Sequence, residues 1–152
     1  MDILIQIRES ALNMLARREH SQFELRQKLA SRFKEQAEEI ENILLQLITD
    51  NYQSDQRFCE SFIHFRQQKG YGKMRITAEL RQKGINTDLM EASFNLLEVD
   101  WFELAYTLKR AKFGDTVSND YKTRAKQYRY LQYRGFTSDQ INYAIQEDSH
   151  NL

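Results

Sequence analysis

The sequence contains no proline, and only five of its 152 residues are glycine. Both residue types interrupt helices, because proline lacks a backbone N–H and glycine loses the most backbone freedom on folding. Leu, Gln, Glu, Lys and Arg, which favour helices, are abundant instead. The composition therefore predicts an all-α protein, and its length is sufficient for one to three small modules.

The sequence has a single cysteine, Cys59, which excludes an intramolecular disulfide. An unpaired thiol is typical of a protein in a reducing compartment. Long apolar runs are also missing. The apolar start, residues 1–8, is short and soon interrupted by charge, so it predicts neither a signal peptide nor a membrane span. We expect a soluble, cytoplasmic protein.

Neither sign of charge is in excess, since Lys and Arg total 22 and Asp and Glu total 22. A neutral chain is a poor candidate for coating nucleic acid unless its charges are segregated. They are segregated here. Residues 66–84 hold six cations against Glu79 alone, residues 109–134 hold eight cations against two carboxylates, and residues 87–103 hold five carboxylates and no cation. The two basic segments are therefore the candidate binding surfaces.

Apolar residues recur at three- and four-residue spacing from Leu4 to Leu15 and from Phe23 to Phe33, which predicts two amphipathic helices. Ser21 and Glu24 have the spacing of a capping box, so we expect the second helix to begin at Ser21. A third helix is predicted over residues 36–51. The first part of the chain is therefore a three-helix unit.

The next segment has the same organisation. Ser54 is placed to cap a helix that continues through Phe65, residues 70–72 form a Gly-Tyr-Gly break, and helices follow over about 73–83 and 87–97. A second three-helix unit is therefore expected.

The last segment begins a helix near Asp100, breaks around Phe113 and Gly114, and resumes from about residue 119 to Arg134, with Gly135 as its cap. A direct repeat supports a third unit, since residues 80–88 and 131–139 match at a constant offset of 51. Both segments include a Leu, a Gly and an Asp at equivalent positions.

A looser similarity relates the first unit to the second, because residues 24–29 resemble residues 79–84. We predict three tandem three-helix repeats that stack through shared faces into an elongated, curved rod. The predicted repeats span residues 1–53, 54–98 and 99–152.

Three motifs occur in order along the chain. They are His20-Ser21-x-x-Glu24-Leu25-x-x-Lys28-Leu29, Tyr52-x-x-Asp55-x-x-Phe58, and Lys69-Gly70-Tyr71-Gly72 followed by Glu79-Leu80-x-x-Lys83-Gly84-Ile85. In order and in spacing, these motifs resemble those of RecX proteins. The resemblance covers roughly residues 12–145. The chain departs from the family pattern at Asn51 and Gln53, which replace the usual glycine and aliphatic residue around Tyr52, and at Cys59, where alanine is common.

The resemblance implies a cytoplasmic modulator of the RecA recombinase. Such a protein binds in the groove of the RecA filament on single-stranded DNA and limits filament extension, ATP hydrolysis and strand exchange. It implies no catalysis. We also expect no cofactor and no membrane association. We expect the protein to be a monomer that reaches single-stranded DNA either directly or through the filament.

The candidate site combines cations, which neutralise phosphate or acidic protein, with aromatic rings, which stack on bases. The predicted filament- or DNA-binding residues are Arg66, Lys69, Tyr71, Lys73, Arg75, Arg81, Lys83, Lys122, Lys126, Arg129, Tyr133 and Arg134. Four of these, at positions 122, 126, 129 and 133, share one face of a helix. The alternative is that the cations form an ordinary solvated face and that Tyr128, Tyr130 and Tyr133 fill a core.

Other chemistry has little support. Gly70-Tyr71-Gly72-Lys73 lacks the earlier glycine and the following Ser or Thr of a phosphate loop. His20, His64 and His150 are far apart, and Cys59 and His64 do not have the spacing of a shared helical face. We predict no catalytic residue and no metal site.

Two alternative functions remain open. Short helices joined by glycine turns and carrying basic residues are also typical of a general DNA-binding module of helix-turn-helix character. Strong DNA affinity without a recombinase would favour that function. A small hydrolase or nuclease is a third class, but the sequence indicates no preferred catalytic carboxylate.

Overall fold

The computed structural model describes residues 2–146, and within that range the chain forms nine helices and no strand. This confirms the predicted all-α fold. The helices are α1 (Ile3–Arg17), α2 (Gln22–Arg32), α3 (Ala37–Thr49), α4 (Asp55–Gln68), α5 (Lys73–Gln82), α6 (Thr87–Leu97), α7 (Trp101–Phe113), α8 (Tyr121–Arg134) and α9 (Ser138–Gln146). The predicted repeat boundaries fall in the connections after α3 and α6, and they stay predictions.

The chain divides into two compact units. The first contains residues 2–62 together with Leu80–Asn95, and the second contains Ile63–Glu79 together with residues 96–146. In the first unit, α1, α2 and α3 surround a buried cluster that includes Ile7, Leu25 and Leu44. Their three- and four-residue spacings place the apolar side chains on one face of each helix, as the sequence predicts.

The predicted capping box begins α2. The Ser21 hydroxyl accepts a hydrogen bond from the Glu24 amide at 3.1 Å, and the Glu24 carboxylate accepts one from the Ser21 amide at 3.1 Å. The carboxylate also accepts from Arg18 and from Lys83, each at 3.1 Å. Although burial opposes ionisation, these donors together lower the pKa of Glu24 to about 2. The carboxylate therefore joins three segments of the first unit.

The second unit contains a further core between α7, α8 and α9, which includes Ala105, Leu131 and Ile141. Trp101 is half-buried and packs against this cluster. Lys109 is completely buried, and its ammonium donates to the carbonyl oxygens of Gly114 and Thr116 at 2.8 and 3.1 Å. The loop after α7 is thus held by a buried lysine.

A glycine follows α8, as the sequence predicts, and another follows α5. Gly84 and Gly135 have positive φ angles of 79° and 101°. Gly72 has a different role, because its amide donates to the Arg134 carbonyl at 2.7 Å and the Met74 amide donates to the Gly135 carbonyl at 3.1 Å. In the second unit, therefore, the last carbonyls of α8 satisfy amides at the start of α5.

Candidate functional site

In the second unit, three arginines surround the ring of Tyr71. The Arg66, Arg75 and Arg134 guanidinium carbons lie 3.9, 4.3 and 4.7 Å from the ring centroid. All three distances are within the range of a cation–π interaction. Three predicted site residues from separate parts of the chain are therefore brought together on a fourth, and we call this set the Tyr71 cluster.

Glu79 is the carboxylate that partners this cluster. It accepts from Arg66 Nε at 2.9 Å and from Arg66 Nη2 at 2.7 Å, which is a two-point pairing. The nearest oxygen of Glu79 also lies 3.6 Å from Arg75 Nε. This carboxylate pairs with two of the three guanidiniums, so the cluster keeps a positive charge.

The remaining donors of the cluster are directed at backbone carbonyls. Arg134 donates to the Lys69 carbonyl at 3.0 Å, and Arg75 donates to the Tyr133 carbonyl at 3.3 Å. The first bond ties the segment before Gly70 to the end of α8, and the second ties α5 to it. The arginines of the Tyr71 cluster thus have a structural role, in addition to any contact that they make with a partner.

The lysines next to the cluster are more open to solvent. Lys69 is exposed, with its ammonium 5.3 Å from the Phe65 ring centroid, and Lys73 is exposed at the first position of α5. Both contribute positive charge to the second unit.

Two predicted site residues belong to the first unit. Lys83 donates to the Glu24 carboxylate at 3.1 Å and also lies 5.7 Å from the Phe62 ring centroid. Arg81 is exposed on α5. Lys83 therefore contributes to the internal carboxylate network of the first unit, which the sequence pattern did not predict.

The exposed face of α8 holds the remaining predicted residues, Lys122, Lys126, Arg129 and Tyr133. Tyr133 is 77% exposed. The helix begins at Asp120, whose carboxylate accepts from the Thr123 hydroxyl at 2.8 Å, and this bond lowers the pKa of Asp120. Within residues 2–146, the three cations form no ion pair. We call these four residues the α8 row.

The alternative in which three tyrosines fill a core is correct for two of them. Tyr128 and Tyr130 pack against the core of the second unit, where Tyr130 meets Phe113 edge to face at 5.5 Å between ring centroids. The Tyr128 hydroxyl hydrogen-bonds to Ser138 at 2.7 Å. Tyr133 instead faces solvent, so the two inner tyrosines fix the helix while the α8 row stays accessible.

Sequence reasoning missed Tyr121 and Arg124, which lie near the start of α8. Tyr121 is 83% exposed and Arg124 is half-buried. The signal in the sequence was a tyrosine three residues before an arginine on a helix that already contained predicted site residues. Their placement beside α9 was not visible in the sequence, because α9 was not itself delimited there.

No group of three His, Cys, Asp or Glu side chains in residues 2–146 is arranged to hold a metal ion, and His150 lies outside this range. Cys59 is buried, and burial raises the pKa of its thiol. Over the same range, none of the helices is both long and apolar enough to cross a membrane.

Comparison with known families matches each repeat separately. Residues 8–44 match the family described as RecX, first three-helix domain. Residues 54–93 match RecX, second three-helix domain, and residues 98–145 match RecX, third three-helix domain. These matches confirm three tandem three-helix repeats.

Individual proteins give the same result. Two curated relatives are named Regulatory protein RecX. The one from Vibrio campbellii is 40% identical, covering 91% of this chain and 88% of its own, and the one from Serratia proteamaculans is 39% identical, covering 86% and 90%. The crystal structure of RecX from Lactobacillus salivarius has the same fold, with a TM-score of 0.77, 24% identity and coverage of 97% of both chains. The chain belongs to the RecX family of regulatory proteins.

Proposed function

We propose that this protein binds the RecA filament on single-stranded DNA in the cytoplasm and limits its ATP hydrolysis, extension and strand exchange. It acts by binding and catalyses no reaction. The relatives' name, Regulatory protein RecX, supports a regulatory role. The single structural observation that carries the proposal is the α8 row, a set of cations and an aromatic ring exposed on a chain of zero formal net charge.

The α8 row suits an extended, negatively charged partner. Its first and last residues, Lys122 and Tyr133, are separated by about 16 Å along the helix axis at 1.5 Å per residue. The row can therefore contact several phosphates or acidic side chains at once. Weak contacts of this kind combine through multivalency when the partner is a regular polymer.

Inhibition then follows from differential affinity. A protein that binds one state of the filament more tightly than another opposes every transition that leaves the favoured state. Nucleotide turnover, filament growth and strand exchange all require such transitions. Inhibition by this mechanism requires only binding. The positive charge of the Tyr71 cluster would strengthen the attraction to the filament.

The test is the rate of ATP hydrolysis by RecA on single-stranded DNA, measured while this protein is titrated in. We expect strong slowing at less than one molecule per RecA protomer, since a bound regulator affects neighbouring protomers. A parallel titration on DNA without RecA is the control. Unchanged hydrolysis combined with tight binding to bare DNA would contradict the proposal and indicate a general DNA-binding module.

A further inference from the structure

A groove runs along the second unit between the first half of α8 and the end of α9, with a volume of about 660 Å³. Ala125 and the buried Ile145 contribute apolar surface to it, and Tyr121, which is 83% exposed, forms one wall. Binding sites for small organic groups usually measure about 300–1,000 Å³. The groove is therefore large enough to hold a flat ring system of nucleobase size.

Arginines border this apolar surface. Arg124 and Arg129 both line the groove, and within residues 2–146 neither guanidinium has an ion-pair or hydrogen-bond partner. The nearby carboxylate of Asp120 is occupied by the amide and hydroxyl of Thr123. Two cations beside an apolar, aromatic-walled groove are complementary to a ligand that joins a flat ring to an anionic group.

The polar lining extends this complementarity. Asn119, Asn142 and Gln146 line the groove, and their side-chain amides can donate to and accept from the edge of a base. Gln146 contacts Asn142 only weakly, with 3.4 Å between the amide nitrogen and oxygen. Nucleobases offer both donors and acceptors along their edges, so amides suit them better than a single fixed charge would.

The cations continue beyond the groove. Arg129, which lines it, also belongs to the α8 row, and the row includes Lys122 and Lys126 on the exposed face of the same helix. A strand with a phosphate at every nucleotide could contact the groove and these lysines together. A base that enters the groove must also be unpaired, which excludes an intact duplex.

We propose that this groove is a single-stranded DNA subsite in which one base stacks on Tyr121 while Arg124 and Arg129 contact the adjoining phosphates. The inference rests on the proposed function in its choice of single-stranded DNA as the polymer. It adds that the chain binds the strand itself, at a base as well as at the backbone. Neither Tyr121 nor Arg124 was among the residues that the sequence singled out.

The test uses the full chain without RecA and measures fluorescence anisotropy of two labelled strands of equal length. One is oligothymidylate, and the other is an abasic strand that keeps the phosphates and lacks the bases. We expect the protein to bind oligothymidylate about tenfold more tightly, since stacking of one base on an aromatic residue has an effect of this size. Tyr121→Ala should remove this difference, and Tyr121→Phe, which keeps the ring, should restore it. Arg124→Gln should weaken the binding of both strands equally.

Matched controls come from the first unit. Tyr52→Ala removes a tyrosine that is 51% exposed, and Arg17→Gln removes an exposed arginine from the end of α1. Both should leave binding of the two strands unchanged. Any of three results would overturn the proposal. They are equal affinity of the parent protein for the two strands, full binding of oligothymidylate by Tyr121→Ala, and equally tight binding of duplex DNA.

Together with the measurement of ATP hydrolysis by RecA, this experiment tests the groove and the proposed function separately. Base-dependent binding through Tyr121, combined with unchanged ATP hydrolysis by RecA, would support the groove and contradict filament inhibition. Inhibition of RecA without any base-dependent binding would support filament inhibition and overturn the groove.

Discussion

Gly72 and Gly135 lie backbone against backbone in the second unit. A Cβ atom added to Gly72 would overlap the carbonyl oxygen of Gly135 and lie 2.5 Å from its carbonyl carbon and 2.8 Å from the amide nitrogen of Phe136. Backbone atoms cannot move aside as the end of a flexible side chain can. The second glycine of the Lys-Gly-Tyr-Gly motif is therefore required by the contact between the start of α5 and the end of α8.

Gly72→Ala should lower the free energy of unfolding by about 2–3 kcal/mol, because the methyl group forces these backbones apart. Gly114→Ala is the matched control. Its φ angle of 87°, with a ψ angle of 177°, disfavours alanine, but nothing lies within 4 Å of the added atom, so backbone strain of about 1–3 kcal/mol without any clash is expected. Urea denaturation measures both, and a loss below about 1 kcal/mol in Gly72→Ala would argue against the steric role of Gly72.

Tyr71→Ala should destabilise the protein by about 1–3 kcal/mol, because it removes the ring that faces three guanidiniums and leaves these cations close to one another. Tyr71→Phe keeps the ring and should stay within about 0.5 kcal/mol of the parent protein. The comparison is made by urea denaturation at low and high salt. A large loss in Tyr71→Phe would assign the effect to the hydroxyl instead.

The stability of the first unit should depend on pH through Glu24. Its pKa is about 2 in the folded protein, against an ordinary value of 4.5. A carboxylate with a lowered folded pKa stabilises the protein above its unfolded pKa, and this stabilisation is lost as the pH falls from about 4.5 towards 2. Glu24→Gln should lower the free energy of unfolding at pH 7 by about 1–3 kcal/mol.

The loss of stability as the pH falls should also be smaller in Glu24→Gln than in the parent protein. Thermal denaturation followed from pH 7 to pH 2 measures this loss. Glu91→Gln, which removes an exposed carboxylate on α6, serves as the comparison and should leave the pH profile unchanged. Identical profiles for the parent protein and Glu24→Gln would contradict the assigned role.

The α8 row leads to a prediction about the filament. Lys126→Glu combined with Arg129→Glu should weaken inhibition of RecA about tenfold or more, because two attractive charges become repulsive. The salt dependence of inhibition should decrease as well, since fewer counterions are released on binding. The readout is the concentration that halves ATP hydrolysis, measured at several salt concentrations.

Its control is the double variant Arg17→Glu with Lys34→Glu, which reverses the same number of exposed charges in the first unit. This variant should inhibit as the parent protein does. Equal inhibition by the α8 variant and this control, with both folded, would remove the α8 row from the binding site.

Helix positions could be predicted well because their signals are local. Ser21 and Glu24 are three residues apart, and the left-handed glycine at 135 follows α8 directly. The partners of charged side chains could not be predicted, because they are distant in sequence. Arg134 contacts the Lys69 carbonyl from 65 positions away, and Lys83 contacts Glu24 from 59 positions away.

The same reason explains what was missed at the candidate site. A helical face can be derived from spacing alone, so the sequence could place the four residues of the α8 row on one face of a helix. A groove needs two helices in their packed arrangement, and the contribution of Asn142 and Ile145 beside Tyr121 depends on how α9 packs. Contact of the predicted residues with a filament stays a prediction.

Two hydrogen bonds hold the end of α8. The Gly72 amide donates to the Arg134 carbonyl, and Arg75 donates to the Tyr133 carbonyl. The final turn of a helix ordinarily frays, because its carbonyls lack partners within the helix. Here these carbonyls have partners, so Tyr133 is presented from backbone that is already ordered. A partner that docks on this turn has little conformational entropy to remove, which favours tight binding by a small surface.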